Sequence, residues 1–249
     1  MYEKISAVVF SATGNTRKYA EKMLEASSLD SQLFDITEEK EPLKKSFGEN
    51  ELVIIGTPVY GGRIPKVARE RLECLKGNKT DLILLACYGN RHYDDALAEM
   101  SDLFSENGFI VKSAAAVVGK HTFGEIQVDR PSESDLEEIS DFIKHCLAMP
   151  KHEKINVPGN RPYKDGGSGG KFRPTTNMDK CTHCGLCIKK CPVGAINSDM
   201  TVSDACLSCF RCISVCPTGA KLIDSPEYDD FAPKFSLRLK EPRENEFFI

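Results

Sequence analysis

Eight of the eleven cysteines fall into one spacing that is written twice. Cys181, Cys184, Cys187 and Cys191 run into Pro192, and Cys206, Cys209, Cys212 and Cys216 run into Pro217. Every cysteine recurs 25 residues later, and the register extends to Gly194/Gly219 and Ala195/Ala220. A segment this short and this rich in thiols has a thin apolar core, so an inorganic core must help it fold. Three thiolates two residues apart line a tight loop whose N–H groups turn toward a negatively charged centre. The prolines fix φ and turn the chain away after the fourth thiol. Structural zinc prefers cysteine pairs separated by a longer gap and fits this spacing poorly. A disulfide framework needs an oxidising compartment, of which the sequence gives no sign.

Residues 177 to 224 resemble the two-cluster bacterial ferredoxins, in which C-x2-C-x2-C-x3-C-P runs hold [4Fe–4S] clusters. The resemblance implies two cubane clusters and electron movement between them. In that pattern the fourth cysteine of each run serves the other cluster. Cluster I is then expected on Cys181, Cys184, Cys187 and Cys216, and cluster II on Cys206, Cys209, Cys212 and Cys191.

The chain of 249 residues has room for about two domains, and 41% hydrophobic content supports a proper core. No apolar run approaches eighteen residues, so no transmembrane helix and no membrane partner are expected. The start, Met1 to Ile5, leads straight into a strand-like run and shows no signal-peptide core. Free thiols and oxygen-sensitive clusters point to a cytoplasmic protein of an anaerobe. A formal charge of −4 argues against a nucleic-acid partner.

The first 150 residues alternate strand-like and helical patterns. Strands are expected at 4–10, 32–36, 51–59, 81–87 and 109–118. Helices are expected at 16–26, 65–75, 93–106 and 132–147. Leu52-Val53-Ile54-Ile55 and Leu82-Ile83-Leu84-Leu85-Ala86 are apolar on both faces, as strands buried on both sides require. Asn107-Gly108 is a helix stop, and Ser132-x-x-Asp135 a helix start. Five strands alternating with helices in this way build a parallel sheet covered on both faces.

Ligands of such a sheet lie beyond the carboxyl ends of its strands. Ser11-Ala12-Thr13-Gly14-Asn15-Thr16 joins strand 1 to helix 1, where hydroxyls and helix N–H groups can converge on a phosphate. An ordinary helix cap uses the same residue types. Thr57-Pro58-Val59-Tyr60-Gly61-Gly62 follows strand 3, and Cys87-Tyr88-Gly89-Asn90-Arg91-His92-Tyr93 follows strand 4. Tyrosines give a flat cofactor flat walls, and glycines let backbone reach a ring edge. Plain packing of Tyr60 and Tyr93, and a plain turn at Gly61-Gly62, stay open.

With these three loops, residues 1 to about 148 resemble the short-chain flavodoxins. The resemblance implies a doubly wound five-stranded parallel sheet of order 2-1-3-4-5 and a non-covalently bound FMN. Ser11, Thr13, Gly14, Asn15 and Thr16 would hold its phosphate. Thr57, Pro58, Tyr60, Gly61 and Gly62 would cover one face of the ring, and Cys87, Tyr88, Gly89, Asn90 and Tyr93 the other. Tyr60 and Tyr93 would flank the isoalloxazine, Gly61 would present its carbonyl to flavin N5, and the peptides of Gly89 and Asn90 would face the pyrimidine edge. Flavodoxins place acidic residues here, whereas this chain offers Asn90, Arg63, Arg91 and His92. Cations stabilise a reduced anionic flavin, so a less strongly reducing flavin is expected. Cys74, Cys87 and Cys146 read as small buried hydrophobes, and His92 and His121 as surface or loop residues.

The expected organisation is an FMN domain over 1–150, a Gly/Pro-rich linker over 151–176, a small α+β ferredoxin-like two-cluster domain over 177–225, and a tail over 226–249 that docks on a domain surface. The glycines at 166, 167, 169 and 170 make the linker a flexible spacer; alternatively Arg161, Tyr163, Lys164 and Lys171 cover the flavin loops as a lid. The expected function is electron transfer between the clusters and FMN in a carrier that meets a donor and an acceptor protein. A homodimer stays open. The alternatives are an FMN-dependent reductase of a small quinone, nitro compound or flavin, and a module whose clusters sense redox state. No catalytic side chain is demanded.

Overall fold

A computed structural model describes residues 2–249, so Met1 lies outside it. The elements run β1 (Lys4–Val9), α1 (Asn15–Ser27), β2 (Asp30–Asp35), β3 (Ser46–Phe47), β4 (Glu51–Pro58), α2 (Lys66–Leu72), β5 (Lys76–Gly77), β6 (Thr80–Tyr88), α3 (Ala96–Glu106), β7 (Phe109–Val118) and α4 (Glu133–Ala148). After them come β8 (Thr175–Thr176), α5 (Leu186–Lys189), α6 (Arg211–Ser214), β9 (Lys221–Leu222), α7 (Pro226–Arg238) and β10 (Glu246–Phe248).

The main sheet has the order β2-β1-β4-β6-β7-β10. Its first five strands are parallel, in the order expected from the sequence. The sixth, β10, comes from the tail and pairs antiparallel with β7, Phe247 opposite Ala115. Strand alternation divides the core. Val8, Val53, Ile55, Leu82 and Leu84 face Ala68 and Leu72 of α2 and Leu97 and Met100 of α3. Ala7, Val9, Leu52, Ile54, Ile83 and Leu85 face Tyr19 and Met23 of α1 and Ile139 and Ile143 of α4. A fully buried aliphatic side chain contributes about 1.5–3 kcal/mol. The two faces of β4 and β6 therefore anchor the sheet.

Three helices start later than their patterns predict. Pro65 stays extended at ψ 135° and caps α2 rather than entering it. α3 begins at Ala96 because Asp94 has φ 42°, which breaks any helix from Tyr93. α4 opens with the capping box of Ser132 and Asp135.

The cysteine-rich segment is small. β8 pairs with β9, and its own apolar core is Cys187, Ile196, Met200 and Cys212. The glycine-rich linker is not loose. Gly167 N–H donates to the Tyr60 carbonyl (2.8 Å), and Lys66 N–H to the Gly167 carbonyl (2.9 Å). Earlier in the linker, Asp95 accepts from the Asn160 and Lys164 backbone N–H groups.

Candidate functional site

The first three loops meet at one cavity. Ser11, Thr13, Asn15 and Thr16 line one end of it. Gly14, at φ 94°, is the N-cap of α1 and brings no side chain of its own to the helix start. Ser11 is fixed from both sides: its N–H donates to Thr37 Oγ1 (2.7 Å), and its Oγ accepts from Arg17 N–H (3.0 Å). This end suits a phosphate, because an exposed helix N-terminus and hydroxyls converge with no carboxylate in the first turn.

Pro58, Val59, Tyr60 and Gly61 form a second wall, and Cys87, Tyr88 and Gly89 a third. Tyr60 and Arg63 close a two-residue turn, Tyr60 N–H to the Arg63 carbonyl at 2.8 Å, with Gly61 at φ 63° and Gly62 at φ 91°. Both central residues are left-handed, as a type I′ turn requires. Burial pushes the Tyr60 phenol well up, and the Cys209 and Cys206 thiols beside it push the same way.

Five expected site residues stand behind these walls rather than on them. Gly14 only turns the chain. Thr57 is fully buried and contacts Met100 Sδ at 3.5 Å. Gly62 is buried against Asp94. Asn90, at φ 61°, donates to the Leu239 and Glu241 carbonyls and accepts from Arg243 N–H, each at 2.8 Å. Its amide is thus taken up by the tail. Tyr93 donates its hydroxyl to Glu246 (2.8 Å), stacks on His92 and meets Tyr88 edge-on. It does not flank the cavity.

The expected cationic surround is also corrected. Arg63 Nε donates to Glu99 (2.7 Å), Arg91 pairs with Asp94, and His92 Nδ1 accepts from Asp94 N–H (2.8 Å). None of the three lines the cavity, and local carboxylates offset both guanidinium groups. The four lid candidates are engaged elsewhere. Arg161 and Tyr163 bind Asp102, Lys164 binds Asp94, and Lys171 binds Glu227. Of the lone cysteines, Cys87 and Cys146 are buried, but Cys74 is only half-buried.

Two groups of wall residues went unread in the sequence. One is Gly119-Lys120-His121-Thr122-Phe123, the loop after β7. It lies at the carboxyl end of a strand, like the other three, and that position was its signal. Burial drives the His121 imidazole down to about 4. Its Nδ1 lies 2.8 Å from the Phe123 N–H and 3.2 Å from the Phe123 carbonyl, so the Phe123 backbone holds the ring in place. The other group is Ser168, Gly170, Leu207 and Ser208, from the linker and the cysteine-rich segment. Ser208 Oγ ties them together by donating to the Gly170 carbonyl (2.7 Å). Only the docking of the two parts creates this wall.

The eight repeated cysteines form two rings. Cys181, Cys184, Cys187 and Cys216 surround one cavity, and Cys191, Cys206, Cys209 and Cys212 another. The fourth cysteine of each run therefore sits with the first three of the other. Among the described residues, no three His, Cys, Asp or Glu side chains are close enough to hold a single metal ion. Three thiols two residues apart joined by a fourth from the other run is the ligand pattern of a [4Fe–4S] core, not the paired cysteines of structural zinc. N–H groups turn inward on the sulfurs, from Ala195 to Cys191 (3.3 Å) and from Ser208 to Cys206 (3.4 Å). At Cys216 burial opposes ionisation, yet donors from Lys221, Thr218 and Ala220 bring the thiol down to about 7.

A flavodoxin-domain model matches residues 7–108, and two 4Fe-4S binding-domain models match residues 174–197 and 206–220. No curated protein matches the chain. Among solved structures, a flavodoxin from the domain Archaea is similar at 19% identity, covering 58% of this chain and 96% of its own, with a TM-score of 0.43. Oxidised flavodoxin 2 from Bacillus cereus shares 15% identity over 58% of this chain and 98% of its own, at 0.43. A Fusobacterium nucleatum flavodoxin mutant bound to flavin mononucleotide shares 12% over 59% and 97%, at 0.40. The matched domains define an electron-transfer flavo-iron-sulfur protein. The chain joins a flavodoxin domain to two 4Fe-4S binding motifs, which imply FMN and two [4Fe–4S] clusters as its cofactors.

Proposed function

We propose that this protein is a cytoplasmic electron carrier in which electrons pass within one chain between the two clusters and FMN. FMN supplies one- or two-electron chemistry when bound, and each cluster supplies one-electron chemistry. The observation that carries the reading is the place of Leu207 and Ser208. They lie between Cys206 and Cys209 in sequence, and they line the flavin cavity. Leu207 and Tyr60 pack on the same core as Cys209, so apolar contact fills the space between the two sites.

The residues have distinct tasks. Cys181, Cys184, Cys187 and Cys216 would hold cluster I, and Cys206, Cys209, Cys212 and Cys191 cluster II. Ser11, Thr13, Asn15, Thr16 and the start of α1 would bind the FMN phosphate. Tyr60, Gly61, Tyr88, Gly89 and the 119–123 loop would enclose the ring and exclude water. Gly14, Thr57, Gly62, Asn90 and Tyr93 would act by fixing the backbone behind these walls. The half-exposed ring of cluster I, with Cys184 exposed, offers an outside partner its point of contact.

Anaerobic purification should give about eight irons and one FMN per chain. After rapid mixing with a one-electron reductant, flavin absorbance should change with a phase whose rate is independent of protein concentration. A rate proportional to protein concentration would mean transfer between molecules and would overturn the reading.

A further inference from the structure

One side chain reaches from the cluster II cavity to the wall of the flavin cavity. Arg211 lies between Cys209 and Cys212 and lines the cluster II cavity with Cys191 and Pro192. Its guanidinium is largely buried, with 17% of the side chain exposed. Nη1 donates to the carbonyl of Ala12 at 2.8 Å, and Ala12 lines the flavin cavity within the 11–16 loop. Nε donates to the carbonyl of Lys190 at 3.0 Å, one residue before Cys191. Nη2 pairs with Glu38, whose carboxylate also takes Lys190 Nζ at 2.9 Å. The neighbouring Thr37 accepts Ser11 N–H, and its carbonyl takes Arg71 Nη1 (2.9 Å). Arg71 Nη2 in turn donates to the Pro192 carbonyl (2.5 Å).

Three acceptors in three directions suit a planar guanidinium and no other side chain. One of them, the Lys190 carbonyl, lies beside a cluster II ligand; the other two, Glu38 and Ala12, belong to the flavin part, and Ala12 lies in the loop expected to bind phosphate. The arrangement can persist only while the 190–212 segment is folded, and that fold depends on its inorganic core. We propose that Arg211 is a positioning residue that couples the two sites, so that the chain holds FMN tightly only when cluster II is assembled. Coupling of this kind is reciprocal: bound FMN also slows the loss of cluster II. The proposal rests on the FMN and cluster assignments made above, but not on transfer between them.

The test titrates FMN into flavin-stripped full-length protein and follows flavin fluorescence, before and after the clusters are removed with a chelator and an oxidant. Cluster removal from the wild type should weaken FMN binding roughly ten- to a hundredfold, as expected for loss of charge-assisted contacts. Arg211→Ala with its iron retained should weaken binding to a similar extent, and cluster removal should then add little. Arg211→Lys should fall between the two. If Arg211→Ala fails to retain iron, Glu38→Gln removes the same node from a position that touches neither cavity and should give a smaller loss of the same kind. Wild-type affinity in both variants, or losses that multiply independently of the clusters, would overturn the coupling. Separate mixing experiments show whether the flavin accepts electrons from the clusters. Their failure, with the affinity pattern intact, would overturn the carrier reading and leave the coupling standing.

Discussion

Gly62 and Gly61 share a turn but not a constraint. A methyl group on Gly62 would stand 2.7 Å from Asp94 Cβ and 2.8 Å from its Cγ, at φ 91°. On Gly61 the nearest obstacle is Gly166 Cα at 3.5 Å, at φ 63°. Gly61→Ala should therefore cost about 1 kcal/mol in backbone strain alone, and Gly62→Ala about 2–3 kcal/mol, because Asp94 must also leave Arg91. Denaturant unfolding of the two variants checks the order; equal losses would contradict it. His121 makes a pH prediction. Burial lowers its basicity to about 4, against 6.5 for the free side chain. Between those values the unfolded chain binds a proton that the folded chain does not, so stability falls as pH drops from 6.5 toward 4. Replacement by Gln should flatten that part of the profile, measured as the difference in melting temperature between pH 7 and pH 5.

Elements differ in how far the sequence reveals them. β4 and β6 were legible because a strand buried on both faces has to be an unbroken apolar run. The cysteine rings were legible because ligand spacing is a local property. β10 was not: Glu246-Phe247-Phe248 is too short to read as a strand and becomes one only beside β7. The displacement of Tyr93 and Asn90 from the cavity has the same origin, since both are held by tail residues far along the chain. Likewise, no local pattern marks Leu207 and Ser208 as walls of the cavity beyond the strand ends. Such contacts exist only after docking. The tail's anchor is testable. Phe247 stacks on Phe142 at 4.9 Å, and Asn245 Oδ1 accepts Val118 N–H at 2.9 Å. Phe247 is half-buried, so Phe247→Ala should cost about 1–3 kcal/mol rather than the full value for a core phenylalanine. Asn245→Ala should cost about 1–2 kcal/mol by leaving a strand-end amide unpaired. Chemical denaturation reads both.

At the scale of the whole molecule, the cluster segment is enclosed by the flavin sheet along the chain. β7 precedes it, β10 follows it, and the two pair. Unfolding the cluster segment therefore loosens both connections that hold β10 in place. The aromatic side chains argue the same way. Phe123, from the flavin cavity, contacts Phe172 of the linker, Phe210 of the cluster II loop and Phe231 of α7, with ring centroids 5.1–6.3 Å apart. One ring thus joins three parts of the molecule. Two domains on a slack tether would unfold separately, with different midpoints for their two chromophores. Here the loss of cluster absorbance and the release of flavin fluorescence should share one denaturant midpoint, as a single cooperative unit requires. Phe123→Ala deletes the shared contact without touching a cysteine or the 11–16 loop. It should separate the two transitions, with flavin released first. Coincident transitions in that variant, or separate ones in the wild type, would show that the docked arrangement is not what makes the molecule cooperative.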